Sequence, residues 1–346
     1  MSDLFIDENY RASLDLRETE KAIKFIKDYF QDHLAEALNL QRVSAPLFLQ
    51  KGSGVNDDLN GVERKVSFPV PAADAVEAEC LFSLAKWKRL VLAEYGFAPG
   101  EGLYTDMNAI RPDEETLDNI HSIYVDQWDW ERIVEPGQRN LDFLKQIVRT
   151  IYQVIRDSAT AVHERYPQMK HDLPEDIIFV HTEDLLQMYP DLDPRRREDE
   201  FLRRHRAAFI IGIGGELSDG SLHDGRAPDY DDWITPDEDG RKGLNGDIFL
   251  WYPLLNRAFE ISSMGIRVDR DSMLRQLEVR DAFERKDYFW HQKLLNDELP
   301  LSIGGGIGQS RLCMFLLQKL HIGEVHVGVW PEETLRRCRA AGIRLL

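Results

Sequence analysis

Short apolar stretches rich in β-branched and aromatic residues recur along the chain, and several are separated by loops too short to hold a helix. We predict strands over 43–49, 65–70, 77–82, 102–110, 122–131, 177–181, 208–213, 247–252, 259–268 and 324–330. Parallel neighbours need a crossover of about a dozen residues or more, whereas antiparallel neighbours need only a turn. The pattern therefore predicts an α+β fold with a mostly antiparallel sheet of about six to eight strands, flanked by helices.

Apolar residues at spacings of three and four predict the helices. They fall over 16–39, 83–95, 138–165, 271–296 and 308–319. The segment 182–204 is dense in arginine, aspartate and glutamate, which is typical of a solvated helix and turn. Residues 1–14 carry no periodic pattern and are expected to form a loose lead-in. The chain contains no repeat, low-complexity stretch or Gly/Ser linker, so we predict one domain over 1–346.

The charge balance limits the classes of partner. The chain has 43 lysines and arginines against 61 aspartates and glutamates, a formal net charge of −18. This argues against a nucleic-acid coat or a binder of anionic membranes, since both use basic surfaces. No apolar run approaches ~20 residues, so no membrane span is expected. Cys80, Cys313 and Cys338 show neither CxxC nor zinc spacing, which is typical of reduced thiols in a cytoplasmic protein.

A glycine run over 304–308 precedes an apolar helix that carries Arg311 in its first turn. We interpret the run as a turn at a helix start, where backbone N–H groups approach an anion. It is not a GxGxxG fingerprint, because Gln309 stands at the third glycine, and no Gly-Lys-Ser/Thr follows as in a P-loop. Arg311 would then offer charge and a planar face to a nucleotide. The alternative is close helix–sheet packing beside a surface arginine.

The predicted strands 102–110 and 122–131 are joined by a loop that Arg111 opens. Gln127, Asp129 and Glu131 share one face of the second strand because alternate side chains point the same way. Two tryptophans lie on the other face. The pattern predicts a pocket floor with an arginine placed to clamp phosphate. The alternative is a hairpin whose polar face lies in water, which the tryptophans disfavour.

The stretch from Asp224 to Asp239 holds seven acidic residues, with Arg226 as the only base among them. Acidic loops are usually solvated. An arginine embedded among aspartates such as Asp231 also suits a zwitterion, whose carboxylate would meet the arginine and whose ammonium would meet an aspartate.

Asp247 lies on one predicted strand, and Glu260, Ser262 and Ser263 lie on the next. Two carboxylates at facing strand positions suit Mg²⁺ beside a triphosphate. The alternative is a pair of surface acids at different depths.

A helix with a proline-containing strand, then strand–Arg–loop–strand, then glycines–Arg–helix resembles the three motifs of class II aminoacyl-tRNA synthetases. The whole chain is similar to the ammonia-dependent asparagine synthetase (aspartate–ammonia ligase) family, a synthetase-like catalytic domain without tRNA-binding appendages. The segments that carry the resemblance are 55–61, 83–89, 100–114, 125–131, 226–233, 259–268 and 304–311.

The resemblance implies a reaction in two steps. The β-carboxylate of aspartate attacks the α-phosphorus of Mg-ATP, giving β-aspartyl-AMP and pyrophosphate. Ammonia then attacks the acyl carbon, giving asparagine and AMP. The implied partners are therefore aspartate, ATP and ammonia, with Mg²⁺ as cofactor and no nucleic acid.

The resemblance also implies roles on the ATP side. Arg111 would hold the α-phosphate and the acyl oxygen, and Arg311 would stack on adenine or reach the γ-phosphate. Asp247 and Glu260 would carry Mg²⁺. The remaining residues implied at the ATP site are Ser262, Ser263 and Gly306.

On the aspartate side, Lys88 and Arg226 are implied for the α-carboxylate. Asp129 and Asp231 are implied for the α-ammonium. Gln127 would donate to the reacting carboxyl group and Ser83 would line the same site. Asp57 would bind the ammonium ion and take its proton.

Two alternatives compete with this interpretation. An aspartyl- or asparaginyl-tRNA synthetase normally adds an anticodon-binding domain, for which we expect no room before the helix predicted at residue 16. A catalytically inactive regulator would tend to lose the motif arginines, whereas Arg111 and Arg311 are present. The resemblance also implies a homodimer formed through the helix and proline strand of 16–49.

Overall fold

The computed structural model describes residues 4–56, 64–114 and 116–346 of the 346-residue chain. Within these ranges the α-helices are α1 (Leu16–Leu38), α2 (Ala85–Glu94), α3 (Leu141–Arg165), α4 (Thr182–Met188), α5 (Pro194–His205), α6 (Arg270–Val279), α7 (Phe289–Leu295), α8 (Gln309–Leu316) and α9 (Glu332–Ala340). The strands are β1 (Leu40–Arg42), β2 (Phe48–Gln50), β3 (Ser67–Val70), β4 (Val76–Cys80), β5 (Gly102–Ile110), β6 (Tyr124–Ile133), β7 (Ile178–His181), β8 (Ala207–Ile211), β9 (Asn245–Tyr252), β10 (Arg257–Ile266) and β11 (Ser302–Gly308). The α+β class is confirmed.

The main sheet has eight strands in the order β1-β5-β6-β11-β10-β9-β8-β7. Its six central strands pair antiparallel, but β1 pairs parallel with β5 and β7 pairs parallel with β8. The sheet is therefore mixed, and the prediction of a mostly antiparallel sheet is corrected. The physical reason lies in the connections, because the two parallel pairs are joined by long segments that hold helices.

A second, three-stranded sheet has the order β2-β4-β3. Its strand β2 covers only Phe48–Gln50. The strand predicted over 43–49 is therefore wrong, because Pro46 lies in the irregular segment between β1 and β2. Proline has no N–H to donate to a ladder, which ends regular pairing there.

One face of the main sheet is apolar and packs against helices. Trp128 and Trp130 of β6 are fully buried on that face, and the Trp128 ring lies 4.7 Å from the ring of Phe30 on α1. The core continues across α3 and α8. Because side chains alternate along β6, Gln127, Asp129 and Glu131 point to the opposite face. That opposite face holds the candidate site.

The glycine run is part of strand β11 and not a turn at a helix start, so this prediction is wrong. A Cβ atom on Gly304 would lie 2.1 Å from Oε2 of Glu131, and one on Gly306 would lie 2.3 Å from Oε1 of Gln127. The glycines therefore leave room for side chains of the neighbouring strand to lie across the backbone. The helix begins only at Gln309.

Two further element predictions are corrected. The helix predicted over 271–296 is broken, because α6 ends at Val279 and Asp281 adopts a left-handed φ of 50°. The strand predicted over 324–330 is absent, and its residues follow a short 3₁₀ helix at Ile322–Glu324 without regular structure. The charged segment 182–204, predicted as a solvated helix and turn, forms two helices, α4 and most of α5, joined by a turn. Each of the two helices buries leucine side chains, so the segment is solvated only in part.

The start of the chain is anchored, although its described residues before α1 form neither helix nor strand. Leu4 and Tyr10 are buried, and the Tyr10 hydroxyl donates to Oε2 of Glu324 at 2.9 Å. The Asn119 side chain binds both the N–H and the carbonyl of Phe5. The expectation of a loose lead-in over 1–14 therefore fails for the described part of it. Across the described ranges, no helix combines the length and apolar character needed to cross a membrane.

Candidate active site

Three adjoining cavities form one cleft on the polar face of the main sheet. The inner cavity, of about 100 Å³, is lined by Ser83, Lys88, Arg111, Gln127, Asp129, Asp231, Ser263, Arg267 and Gly306 among others. The middle cavity, of about 270 Å³, includes Arg111, Tyr124, Asp126, Gln127, Glu260, Gly306, Ser310, Arg311 and His326. The outer cavity, of about 390 Å³, includes Glu198, Asp224, Asp247, Glu260 and Arg311. Shared lining residues make the three cavities continuous.

Lys88, on α2, is buried against the floor of the inner cavity. Its ammonium contacts the Asp129 carboxylate, donates to the Trp130 carbonyl at 2.8 Å and lies 3.5 Å from Oε2 of Glu131. Burial raises the pKa of Asp129, while Lys88 acts in the opposite direction. The two residues predicted for opposite ends of a zwitterion therefore lie together and compensate each other's charge.

Arg267 is a site residue that the sequence reasoning missed. Its Nε donates to Oε1 of Glu131 at 3.0 Å, its Nη2 donates to Oε2 of Glu131 at 2.8 Å, and its Nη1 contacts Asp231. Burial opposes the charge of Arg267, but Glu131 and Asp231 hold its pKa above the ordinary value. The one available signal was an arginine inside the strand predicted over 259–268, and its acidic partners are distant in sequence.

Arg226 contacts Asp247 and donates to Oγ of Ser263 at 3.0 Å. The structure therefore pairs a residue predicted for aspartate with one predicted for Mg²⁺. Arg226 is not among the residues that line the inner cavity, although Ser263 is. Its guanidinium is therefore connected to that cavity through the hydrogen bond to Ser263.

Arg111 and Gln127 lie where the inner and middle cavities meet. Arg111 directly follows β5, and its N–H donates to the Ile123 carbonyl at 2.7 Å. The Nε of Arg111 is buried without a hydrogen-bond partner among the described residues. A buried unpaired donor is costly, so this guanidinium is suited to receive an anionic ligand.

Arg311 projects from the first turn of α8 between the middle and outer cavities. Its Nη1 lies 3.2 Å from Oε2 of Glu260 and 3.2 Å from the Glu260 carbonyl oxygen. Burial would raise the pKa of Glu260, but the positive charges of Arg311, Arg226 and Arg111 together outweigh burial, and the pKa is lowered.

Asp247 and Glu260 both line the outer cavity. The expectation that they face each other across two strands is wrong, because Asp247 pairs with Ser263 and Glu260 pairs with Phe249. Burial raises the pKa of Asp247, and the nearby Glu260 acts in the same direction. No cluster of three or more candidate metal ligands occurs in the part of the chain that the structure describes. Magnesium commonly uses one or two carboxylates and completes its shell with phosphate oxygens and water, so this pair fits Mg²⁺ beside a polyphosphate.

The predicted serines fall in different places. Ser83 lines the inner cavity, and its Oγ accepts the N–H of Ala85 at 3.1 Å at the start of α2. Ser263 lines the inner cavity as well. Ser262 points to the other face of β10, is buried and lines none of the three cavities, so the structure does not bring it to the site.

Asp57 lies outside the described residues, and its predicted role stays a prediction. Asn56, directly before it, is buried and well anchored. Its side chain donates to the Cys80 carbonyl at 3.0 Å and accepts the N–H of Phe82 at 3.1 Å.

Comparison with known proteins gives the family. The sequence pattern of the family described as "Aspartate-ammonia ligase" matches residues 17–342. A Parabacteroides distasonis protein named aspartate–ammonia ligase is 55% identical over 346 residues, covering 100% of both chains. A protein of the same name from Clostridium perfringens is 54% identical over 346 residues, again with 100% of both chains covered.

Solved structures give the fold. Pyrococcus horikoshii asparaginyl-tRNA synthetase with asparaginyl-adenylate matches with a TM-score of 0.66 at 16% identity, over 91% of this chain and 70% of the other. The Entamoeba histolytica enzyme with the same adenylate matches with a TM-score of 0.62 at 15% identity, over 90% of this chain and 66% of the other. At this identity the likeness concerns the fold. The chain belongs to the aspartate–ammonia ligase family of enzymes, and its fold is that of class II aminoacyl-tRNA synthetases.

Proposed function

We propose that the enzyme makes L-asparagine from L-aspartate and ammonia with ATP, through β-aspartyl-AMP, releasing AMP and pyrophosphate. In the first step an oxygen of the β-carboxylate bonds to the α-phosphorus and the bond to pyrophosphate breaks. In the second step ammonia bonds to the acyl carbon, AMP departs with the bridging oxygen, and the nitrogen loses a proton. The observation that carries this proposal is the placement of Arg111 and Gln127 between two cavities of different chemistry.

The inner cavity suits aspartate because it combines both signs of charge in a small volume. Asp129 and Asp231 offer carboxylates to the α-ammonium. Lys88 and Arg267 offer cations on the same walls, and Arg226 stands behind Ser263. We assign the α-carboxylate to Lys88 and Arg226, the α-ammonium to the two aspartates, and the wall beside them to Ser83.

The middle cavity suits the nucleotide. Negative charge grows on the α-phosphate oxygens as the carboxylate attacks, so a fixed cation there lowers the barrier. Arg111 occupies that place with an unpaired buried donor, while Gln127 can donate to the reacting carboxyl group. Arg311 would meet the adenine or the γ-phosphate, beside the open backbone of Gly306.

Asp247 and Glu260 would hold Mg²⁺ at the outer cavity. When bound, the ion neutralises charge on the phosphate oxygens of ATP. Each carboxylate already has an arginine beside it, so the local charge stays balanced as ligands arrive.

For the ammonia step we assign Asp57 as the group that binds ammonium and accepts its proton. Ammonia at neutral pH is mostly NH₄⁺ and becomes a nucleophile only after it loses a proton. The support from the structure is the neighbouring Asn56, which is hydrogen bonded to Phe82, a residue lining the inner cavity.

We also propose a homodimer that acts in the cytoplasm. Leu47 and Phe48 are each nearly half exposed, and the Phe48 ring packs edge-on against Phe68 at 5.4 Å, forming an apolar face on the small sheet. A sedimentation velocity run that showed only the monomer would contradict the dimer.

The three cysteines are free and buried, which is consistent with a reducing compartment.

The test of this function is a product assay. The purified enzyme is incubated with Mg-ATP, L-aspartate and ammonium, and asparagine, AMP and pyrophosphate are measured. The proposal predicts equal amounts of the three products over many turnovers, no sustained turnover when one substrate is omitted, and little asparagine when glutamine replaces ammonium. Formation of ADP and inorganic phosphate in place of AMP and pyrophosphate would refute the proposed chemistry.

A further inference from the structure

A continuous chain of five polar side chains runs from α1 to the wall of the middle cavity. Lys27 Nζ donates to Oδ2 of Asp126 at 3.2 Å. The Ser310 N–H donates to Oδ1 of Asp126 at 3.0 Å, and the Ser310 hydroxyl donates to Oδ2 at 2.8 Å. His326 Nδ1 lies 2.9 Å from Ser310 Oγ, and its Nε2 lies 3.2 Å from Ser122 Oγ. None of these residues was singled out from the sequence.

One arrangement of protons satisfies every contact in this chain. The imidazole is neutral, its Nδ1–H donates to Ser310 Oγ, and its Nε2 accepts from the Ser122 hydroxyl. Burial lowers the pKa of His326, which agrees with a neutral ring. Buried polar groups that are all paired form a rigid network, whereas a half-satisfied one would be destabilising. Asp126, Ser122, Ser310 and His326 are each at least nine-tenths buried, so the network is rigid.

The network acts on the start of α8. Ser310 is the second residue of that helix and directly precedes Arg311. Two hydrogen bonds from Ser310 to one carboxylate fix the backbone from which the Arg311 side chain emerges. A long arginine side chain loses conformational entropy when it binds a ligand. Because the backbone of Arg311 is already fixed, fewer conformations are lost on binding.

We propose that Asp126 and Ser310 are positioning residues that set Arg311 against the nucleotide, with Lys27 balancing the charge of Asp126 and His326 holding the Ser310 hydroxyl. This inference rests on the proposed function, in which Arg311 binds ATP. It extends the ATP site to α1, a helix that does not itself line the cleft.

The experiment compares steady-state kinetics of Asp126→Asn, Ser310→Ala and Lys27→Met with wild type. The amide of Asp126→Asn has one acceptor oxygen and no charge, so it cannot hold both Ser310 donors and Lys27. For Asp126→Asn we expect the KM for ATP to rise about tenfold, because a rise of this size corresponds to the loss of one hydrogen bond to a charged group. The KM for aspartate and kcat should stay within about twofold. Lys24→Met is the matched control, because Lys24 is exposed on the same helix and pairs only with Asp28 among the described residues.

A double-mutant cycle separates positioning from general destabilisation. If Asp126 acts through Arg311, Asp126→Asn has no further effect on the KM for ATP in an Arg311→Ala background. Equal rises in the KM for ATP and aspartate, or an undiminished effect in that background, would overturn the inference. If Asp126→Asn does not fold, Ser310→Ala, which removes a single hydroxyl, decides by the same criteria.

Failure of the proposed function itself gives a different result. Equilibrium dialysis with radiolabelled ATP is run on the wild-type enzyme first. Wild type that neither binds ATP nor releases AMP would refute the proposed function and the positioning inference with it. Wild type that does both, beside variants with an unchanged KM for ATP, would refute only the positioning inference.

Discussion

At the scale of residues, the site concentrates charge that is expensive to bury. Lys88, Asp129, Glu131, Asp231 and Arg267 form one buried network in which each charge has a partner of opposite sign. Removing one partner of such a network leaves an uncompensated charge, which is far more harmful than the network is stabilising. Arg111 differs from these residues, because its Nε has no partner among the described residues.

Replacing Arg111 with alanine should therefore slow catalysis strongly without unfolding the protein. The loss of a fixed donor at a developing charge reduces turnover by about a hundredfold to a thousandfold. The measurement is AMP release, with the melting temperature as a check on folding. Arg42→Ala is the matched control, since Arg42 is exposed and pairs with Asp106 outside the cleft. Near-normal AMP release by Arg111→Ala would remove its assigned role.

Replacing Asp57 with asparagine should separate the two steps of the reaction. The amide cannot take a proton from ammonium, so asparagine formation should fall about a hundredfold or more. Aspartate-dependent exchange of pyrophosphate into ATP, which reports the first step, should persist. Asp58→Asn, one residue along, serves as the control and should behave as wild type. Asparagine formation by Asp57→Asn at the wild-type rate would require another base.

Most of the candidate site residues named from the sequence line the cleft, but their pairing could not be predicted. Alternation along β6 correctly placed Gln127, Asp129 and Glu131 on one face, because the period of a strand is fixed by its backbone. The contacts of Arg267 could not be inferred, since Glu131 and Asp231 are brought to it only by the folded sheet.

At the scale of elements, strand β11 is unusual because its glycines make room for side chains of the neighbouring strand β6. Three of its residues in succession are glycines, and they allow the side chains of β6 to lie directly over its backbone. The sequence could not reveal this strand, because glycines show no alternation of apolar and polar side chains. The turn predicted at the same place assumed that the glycines bring backbone N–H groups close to an anion. In β11 the glycines instead make room for side chains of β6.

A methyl group at Gly306 tests this reading of β11. In Gly306→Ala the new Cβ would meet Gln127 Oε1 at 2.3 Å, so the flexible amide must move. We expect kcat/KM for aspartate to fall about tenfold or more with the fold retained, the effect of misplacing a group by about 1 Å. Gly137→Ala, where a Cβ meets nothing within 4 Å, is the control. An unchanged kcat/KM in Gly306→Ala would show that the position of Gln127 does not matter.

The connection after α8 gives the fold a dependence on pH. His321 is buried, its Nδ1 accepts the N–H of Gly323 at 2.9 Å, and burial lowers its pKa from 6.5 to about 4. Between these pH values the unfolded chain binds more protons than the folded one, so stability falls as the pH drops.

Denaturant unfolding at pH 7 and pH 5 measures this contribution. We expect the free energy of unfolding of wild type to fall between pH 7 and pH 5 by about 2 kcal/mol more than that of His321→Asn. His33→Asn, exposed on α1, should keep the wild-type dependence. Equal losses in wild type and His321→Asn would show that His321 does not carry the effect.

At the scale of the whole molecule, an acidic chain gathers basic side chains at one cleft, where carboxylates of the same cleft accompany them. The net charge is −18, yet Lys88, Arg111, Arg226, Arg267 and Arg311 gather at or beside the three cavities. The α+β class and the six strands β5 to β10 of the main sheet follow from the spacing of apolar stretches. The parallel edges do not, because they depend on how the long connections return to the sheet.

We propose that aspartate is activated as an acyl adenylate, and the transfer of an oxygen isotope tests this step. L-Aspartate labelled with ¹⁸O in both β-carboxylate oxygens is converted with Mg-ATP and ammonium, and the nucleotide product is analysed by ³¹P NMR and mass spectrometry. Activation through β-aspartyl-AMP predicts one ¹⁸O in the phosphate of each AMP and one in the side-chain carbonyl of asparagine. Unlabelled AMP, or label in inorganic phosphate beside ADP, would contradict it.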